Sequence, residues 1–168
     1  MKVFDPEQVE YPRDELAERR LIACLITGLR EPSQSIFCDM ERDDFFCWPH
    51  DVLFGVLKLA WQEGRLKNVR QSAMAIRKVR DSYYSPGEWA YLVGVEIVEQ
   101  MSRWPMEFTW REDMQKVLEM SVRRQELRLV LGLIAKTRMK RPGPGELLHA
   151  ANVGAEQLAR KVERCTSQ

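Results

Sequence analysis

One stretch limits the fold more than any other. In residues 43–64, Asp43-Asp44-Phe45-Phe46 leads through Cys47, Trp48, Pro49 and His50 into a run that is apolar on nearly every side. Leu53, Phe54, Leu57 and Trp61 recur at helical spacing. Val52, Val56, Leu59 and Ala60 widen that face. Pro49 suits the first helical position, where a missing N–H costs nothing. Gly64 suits the position just past the helix end, where a left-handed residue is needed. A helix of this kind lies at the centre of a fold, and its neighbours must be helices or sheets that cover it.

The flanking sequence supplies helices. Asp14 reads as an N-cap for a helix over residues 14–29, with Leu21, Ile22, Leu25, Ile26 and Leu29 as its apolar stripe. Glu31-Pro32-Ser33 reads as its end, and Ser33 or Ser35 as the start of a short helix through Ile36 and Phe37. Residues 41–46 form a turn into the central helix. Asn68 is placed to cap a helix through Met74, Ile76 and Val79, residues 81–87 read as a loop, and residues 88–101 as a further helix. Residues 1–11 read as a loose tail.

Residues 102–108, with Pro105, form the expected boundary between a head (residues 12–102) and a second part (residues 103–168). Thr109-Trp110-Arg111-Glu112 has the form of a capping box. No proline follows until Pro142, which predicts a helix of roughly 30 residues, about 45 Å long. Pro142-Gly143-Pro144-Gly145 breaks it, and residues 146–164 read as a returning helix. The expected fold class is therefore all-α, a compact helical head followed by a long antiparallel hairpin. Leu127, Leu129, Val130, Leu131, Leu133 and Ile134 leave the hairpin apolar on more sides than one partner helix covers. Surplus apolar surface of this kind marks an interface, or else burial against the head.

Charge sharpens the two-part reading. Residues 1–102 carry 13 basic and 17 acidic side chains, net −4, and residues 103–168 carry 13 basic and 8 acidic, net +5. A helix bearing Arg70, Arg77, Lys78 and Arg80 reads first as a solvated face and second as a nucleic-acid contact. The basic hairpin end at residues 136–141 is a second candidate for such contact. No run approaches the roughly 18 unbroken apolar residues of a membrane span, and no apolar signal core opens the chain. The natural setting is the cytoplasm, where the four cysteines stay reduced.

Chemistry is sparse. There is no GxxxxGK(S/T) phosphate loop. Two histidines leave little for general base catalysis, and nothing resembles a nucleophile with its base. Asp43-Asp44 and Glu112-Asp113 read as capping and helix-dipole partners. Cys24 reads as a buried small hydrophobe. Cys47 and His50 form a CxxH pair, but a structural zinc site needs four ligands. Only His149 and scattered cysteines remain, so packing at a helix start is the expectation for His50. No enzyme, metal or cofactor is expected.

Several of these segments also follow a known order. Asp44-Phe45-Phe46, His50, Leu53-Phe54, Leu57, Leu59 and Glu63-Gly64 resemble the N-terminal domain of bacterial replicative helicases of the DnaB type. Upstream, Pro12, Ala17-Glu18, Leu21-Ile22-Ala23 and Leu25 look like that family's opening helix. Ala90-Tyr91-Leu92 after Gly87, and Arg123-Arg124 followed by Leu127, continue the match to residue 131. Arg19 stands where the family often has glutamine, and residues 102–106 depart from its pattern. The resemblance implies a domain without an ATPase site. In that family hairpins pair and heads meet, so that a hexamer carries a collar above its motor ring, and the collar receives the primase and some loaders. An assembly and docking role in DNA replication is thus the leading expectation, with the motor expected to be missing because the chain ends where the linker to it should begin.

On the surplus apolar surface, Leu127, Val130, Leu131, Ile134, Leu147, Leu148 and Leu158 are the residues expected to pair the hairpins. The partners expected are a second copy and a primase or helicase loader. Two other classes stay open. One is a freestanding adaptor of phage or mobile-element type that captures a helicase or primase. The other is a nucleic-acid-binding helical domain using Arg70, Arg77, Lys78 and Arg80. A small-molecule enzyme is the most distant reading.

Overall fold

A computed structural model describes residues 9–27, 30–83, 110–139 and 143–166 of the chain. All regular structure among them is helical: α1 (Glu15–Thr27), α2 (Arg30–Asp39), a 3-10 turn (Arg42–Asp44), α3 (Trp48–Gln62), α4 (Val69–Tyr83), α5 (Trp110–Met139) and α6 (Pro144–Thr166). The all-α expectation is met. The expected helix over residues 88–101, the boundary at 102–108, the cap at Thr109 and most of the tail lie outside the described residues.

One compact unit takes in Asp14–Leu118. Within it α3 packs on α1, on α4 and on the 3-10 turn, so it is the central helix that its composition demands. Its Leu53, Phe54 and Leu57 are buried, together with Leu21, Ile22, Leu25 and Ile26 of α1 and Ile36, Phe37 and Met40 beside them. Rings build one side of this core. Phe54 stands 5.7 Å from Phe37 and 4.9 Å from Phe45, and Phe37 stands 5.3 Å from Trp61. Such tilted pairs add to what their buried area contributes. Leu59, however, is exposed, so α3 keeps one open edge.

The helix ends follow from local chemistry. Asp14 Oδ1 accepts the Ala17 N–H at 2.9 Å and Asn68 Oδ1 accepts the Gln71 N–H at 3.0 Å, each satisfying a first-turn donor that has no helical partner. Asp44 Oδ2 accepts the Glu41 N–H at 2.8 Å and ties the 3-10 turn closed. Gly64 stops α3 at φ 68°, in the region that a side chain disfavours. Pro49 sits second in α3 rather than first, again where its missing N–H is immaterial.

Three expected boundaries are corrected. α2 begins at Arg30, so Glu31-Pro32-Ser33 is its first turn and not the end of α1. Proline is tolerated there for the reason it is tolerated in α3. α4 runs through Asp81 to Tyr83, because nothing before Pro86 removes a helical donor. α6 starts at Pro144 rather than Glu146, with the proline ring already holding the helical φ.

A second unit takes in residues up to Arg13 and from Glu119 onward. α5 is one continuous helix of 30 residues, as the absence of any breaker predicts. α6 returns beside it, and the two approach closely at Gly154, where a built Cβ would run into Leu129 Cδ1. Arg124 is buried in this unit and donates from Nη1 to the Pro12 carbonyl at 2.8 Å.

Candidate functional site

Glu18 is a buried carboxylate with three hydrogen-bond partners outside its own helix. It lies in the first turn of α1 with only 1% of its surface exposed. Oε1 accepts the Phe46 N–H at 2.7 Å, and Oε2 accepts the Cys47 N–H at 3.0 Å. His50 Nδ1 donates to the same Oε2 at 2.9 Å. One carboxylate on α1 thereby satisfies the backbone that enters α3 and fixes the histidine ring one turn later. Burial by itself would raise the pKa of Glu18. The His50 hydrogen bond and the two backbone N–H groups outweigh that, and hold it below the usual glutamate range. Glu18, Cys47 and His50 together bring a carboxylate oxygen, a sulfur and a ring nitrogen within 4.8 Å of one another. The expected packing of His50 at the helix start is present. The residue that organises it, 32 positions upstream, has no signal in the CxxH spacing.

Beside this junction Arg42 forms a two-pronged ion pair with Asp51, at 2.6 and 3.0 Å. Its chain lies across Gly55, where a Cβ would stand 2.8 Å from Arg42 Cδ. Lys58 Nζ donates to the Met40 carbonyl at 2.8 Å and lies over the Phe54 ring. These contacts lock the turn between α2 and α3. Asp43-Asp44 read as capping residues, and Asp44 does cap.

The hairpin carries the expected interface residues at graded exposure. Val130 and Leu148 are 51% and 63% exposed, whereas Leu127, Leu131, Ile134, Leu147 and Leu158 are half-buried. Leu129, Gly132, Leu133 and Ala135 of α5 and Ala150 and Val153 of α6 line a groove of about 840 Å³, together with the polar or charged Arg128, Lys136, Glu146 and His149. An apolar lining beside charged groups is the usual anatomy of a docking surface.

On α4, Arg70, Arg77 and Lys78 are all exposed, spaced seven and eight residues apart and so on one face. Met74 lies between them, 62% exposed. The Arg80 side chain lies outside the described residues. No described helix is long and apolar enough to cross a membrane.

No family model matches the sequence, and no curated protein matches it. The fold does have a relative among solved structures. The crystal structure of the N-terminal domain of DnaB helicase from Mycobacterium tuberculosis superposes with a TM-score of 0.69 at 12% identity, covering 89% of this chain and 99% of that one. At that identity the likeness speaks for the fold alone: this chain has an all-α fold like that of the DnaB helicase N-terminal domain.

Proposed function

We propose that this chain is a non-catalytic assembly and protein-docking module of the replicative-helicase type. It pairs with copies of itself through the hairpin, and it offers a surface to a primase or helicase loader, in the cytoplasm. The observation that carries the reading is the fold likeness combined with exposed Val130 and Leu148 on the hairpin. Leu127, Leu131, Ile134, Leu147 and Leu158 are the other pairing residues in this reading. Residues 103–168 form its pairing and docking part, and residues 12–102 its head.

Sedimentation equilibrium of the chain tests it. Wild type is expected to self-associate in the micromolar range. Leu131→Asp weakens that association about 10-fold or more, equivalent to ~1.4 kcal/mol. A constant unchanged by Leu131→Asp and Val130→Asp removes the hairpin as the pairing surface. A freestanding adaptor that captures a helicase or primase shares this fold. Co-sedimentation with helicase rings in place of self-association is its signature.

The shared exposed face of Arg70, Arg77 and Lys78 supports a second reading, contact with nucleic acid. Its mark is affinity for single-stranded or duplex DNA that falls steeply with salt. A flat salt response in a filter-binding or anisotropy titration counts against it.

A further inference from the structure

The junction of α1 with α3 has the makings of a metal site. Cys47 precedes α3 and His50 lies three residues on, so both side chains serve one face of the helix start. Neither residue type alone would matter, and two ligands are too few. The fold supplies a third from α1: Glu18, Cys47 and His50 hold their ligand atoms within 4.8 Å of one another. In a tetrahedral zinc site with bonds of about 2.0–2.3 Å, ligand atoms stand roughly 3.3–3.6 Å apart. The widest separation therefore has to close by about 1.5 Å at most, while the Glu18 Oε2–His50 Nδ1 pair, at 2.9 Å, has to open by a few tenths of an ångström.

The carboxylate is already fixed in place. It accepts three hydrogen bonds, and an ionised carboxylate offers about four acceptor positions. A cation on Oε2 in place of the His50 N–H leaves both backbone bonds, to Phe46 and Cys47, intact. The His50 bond is the one that is exchanged. Binding at Nδ1 moves the ring proton to Nε2, and binding of the thiolate releases the Cys47 proton to solvent. Glu18 is buried, whereas Cys47 and His50 are partly exposed, which leaves an approach from one side.

We propose that Glu18, Cys47 and His50 form a binding site for a zinc-class divalent cation, with three protein ligands and an open fourth position. Thiolate with imidazole and carboxylate selects zinc and its neighbours over magnesium and calcium. Bound there, the ion links α1 to the start of α3 and stabilises this unit in proportion to its occupancy. The proposal is independent of the docking role.

Cobalt(II) and zinc test it on the full chain. Cobalt is expected to bind with one-to-one stoichiometry and give a thiolate-to-cobalt charge-transfer band. That band disappears in Cys47→Ser, and affinity falls at least about 10-fold. It persists in Cys38→Ser. Circular dichroism establishes that each variant is folded. A second measurement needs no variant: zinc should slow alkylation of Cys47 in the wild-type chain, but not of Cys38, as read by peptide mapping. Absence of a one-to-one cobalt spectrum, survival of the band in Cys47→Ser, or equal alkylation of Cys47 with and without zinc overturns the assignment.

Discussion

At the scale of single residues, Glu18 is where burial, charge and hydrogen bonding meet. Removing its side chain takes the Glu18 bonds from the Phe46 and Cys47 N–H groups and the His50 ring, all three of them half-buried. An unsatisfied buried group costs about 1–3 kcal/mol, and water reaches these groups in part, so Glu18→Ala should lower unfolding stability by roughly 2 kcal/mol, measured as a shift in urea midpoint. Glu18→Gln keeps the shape and should cost less. The pH response follows from the depressed Glu18 pKa. A carboxyl that is more acidic folded than unfolded contributes stability that is fully present above its unfolded value. That contribution is lost as pH falls through the folded value. Urea midpoints of wild type and Glu18→Gln should therefore converge in acid, below about pH 4, and diverge above it. Cys24 gives a contrasting case. Burial, with the Asp113 charge adding to it, raises its thiol to about 11. At mildly alkaline pH, alkylating reagents should label exposed Cys38 rapidly and Cys24 only on unfolding, as read by mass spectrometry.

At the scale of elements, two glycines do different work. Gly64 has φ 68° and nothing within 4 Å of a built Cβ, so only the backbone conformation resists a side chain there. Gly64→Ala should cost about 1 kcal/mol, and Gly64→Asn less, by thermal unfolding. Gly154 has the opposite constraint: the backbone is helical, and Leu129 fills the space. Gly154→Ala should destabilise although alanine is the better helix former. Pairing it with Leu129→Ala should recover part of the loss, with a coupling of about 1 kcal/mol in a double-mutant cycle. Absence of coupling would mean that α5 and α6 do not meet there. Element ends show what local sequence can say. Asp14, Asn68 and Gly64 announce their own roles, because each answers a donor or a dihedral within four residues. Pro32 and Pro144 mislead, because the same ring that stops a helix also begins one.

For the whole molecule, the all-α class and the central place of α3 were legible from apolar spacing alone, and the length of α5 from the absence of a breaker. Association through apolar hairpin faces leads to a further expectation. If the proposed apolar faces carry the pairing, raising salt should leave the self-association constant within about threefold. The apparent melting temperature should rise with protein concentration, because pairing binds the folded state only. A steep loss of association with salt would transfer the interface to charged residues such as those of α4.

The sequence by itself determined the class, the caps at Asp14 and Asn68, the central helix and the long hairpin, because each depends on periodicity or on groups a few residues apart. It placed Glu18 on a helix without stating its task. Only tertiary structure carries α1 to the start of α3, where one carboxylate meets two N–H groups and an imidazole. The separation along the chain is 28 to 32 residues, and no local pattern encodes a contact at that distance. The same holds for Arg124, which reaches the Pro12 carbonyl 112 residues away. Long-range polar contacts are fixed by how apolar faces pack, and side chains such as Glu18 take their chemistry from where that packing leaves them.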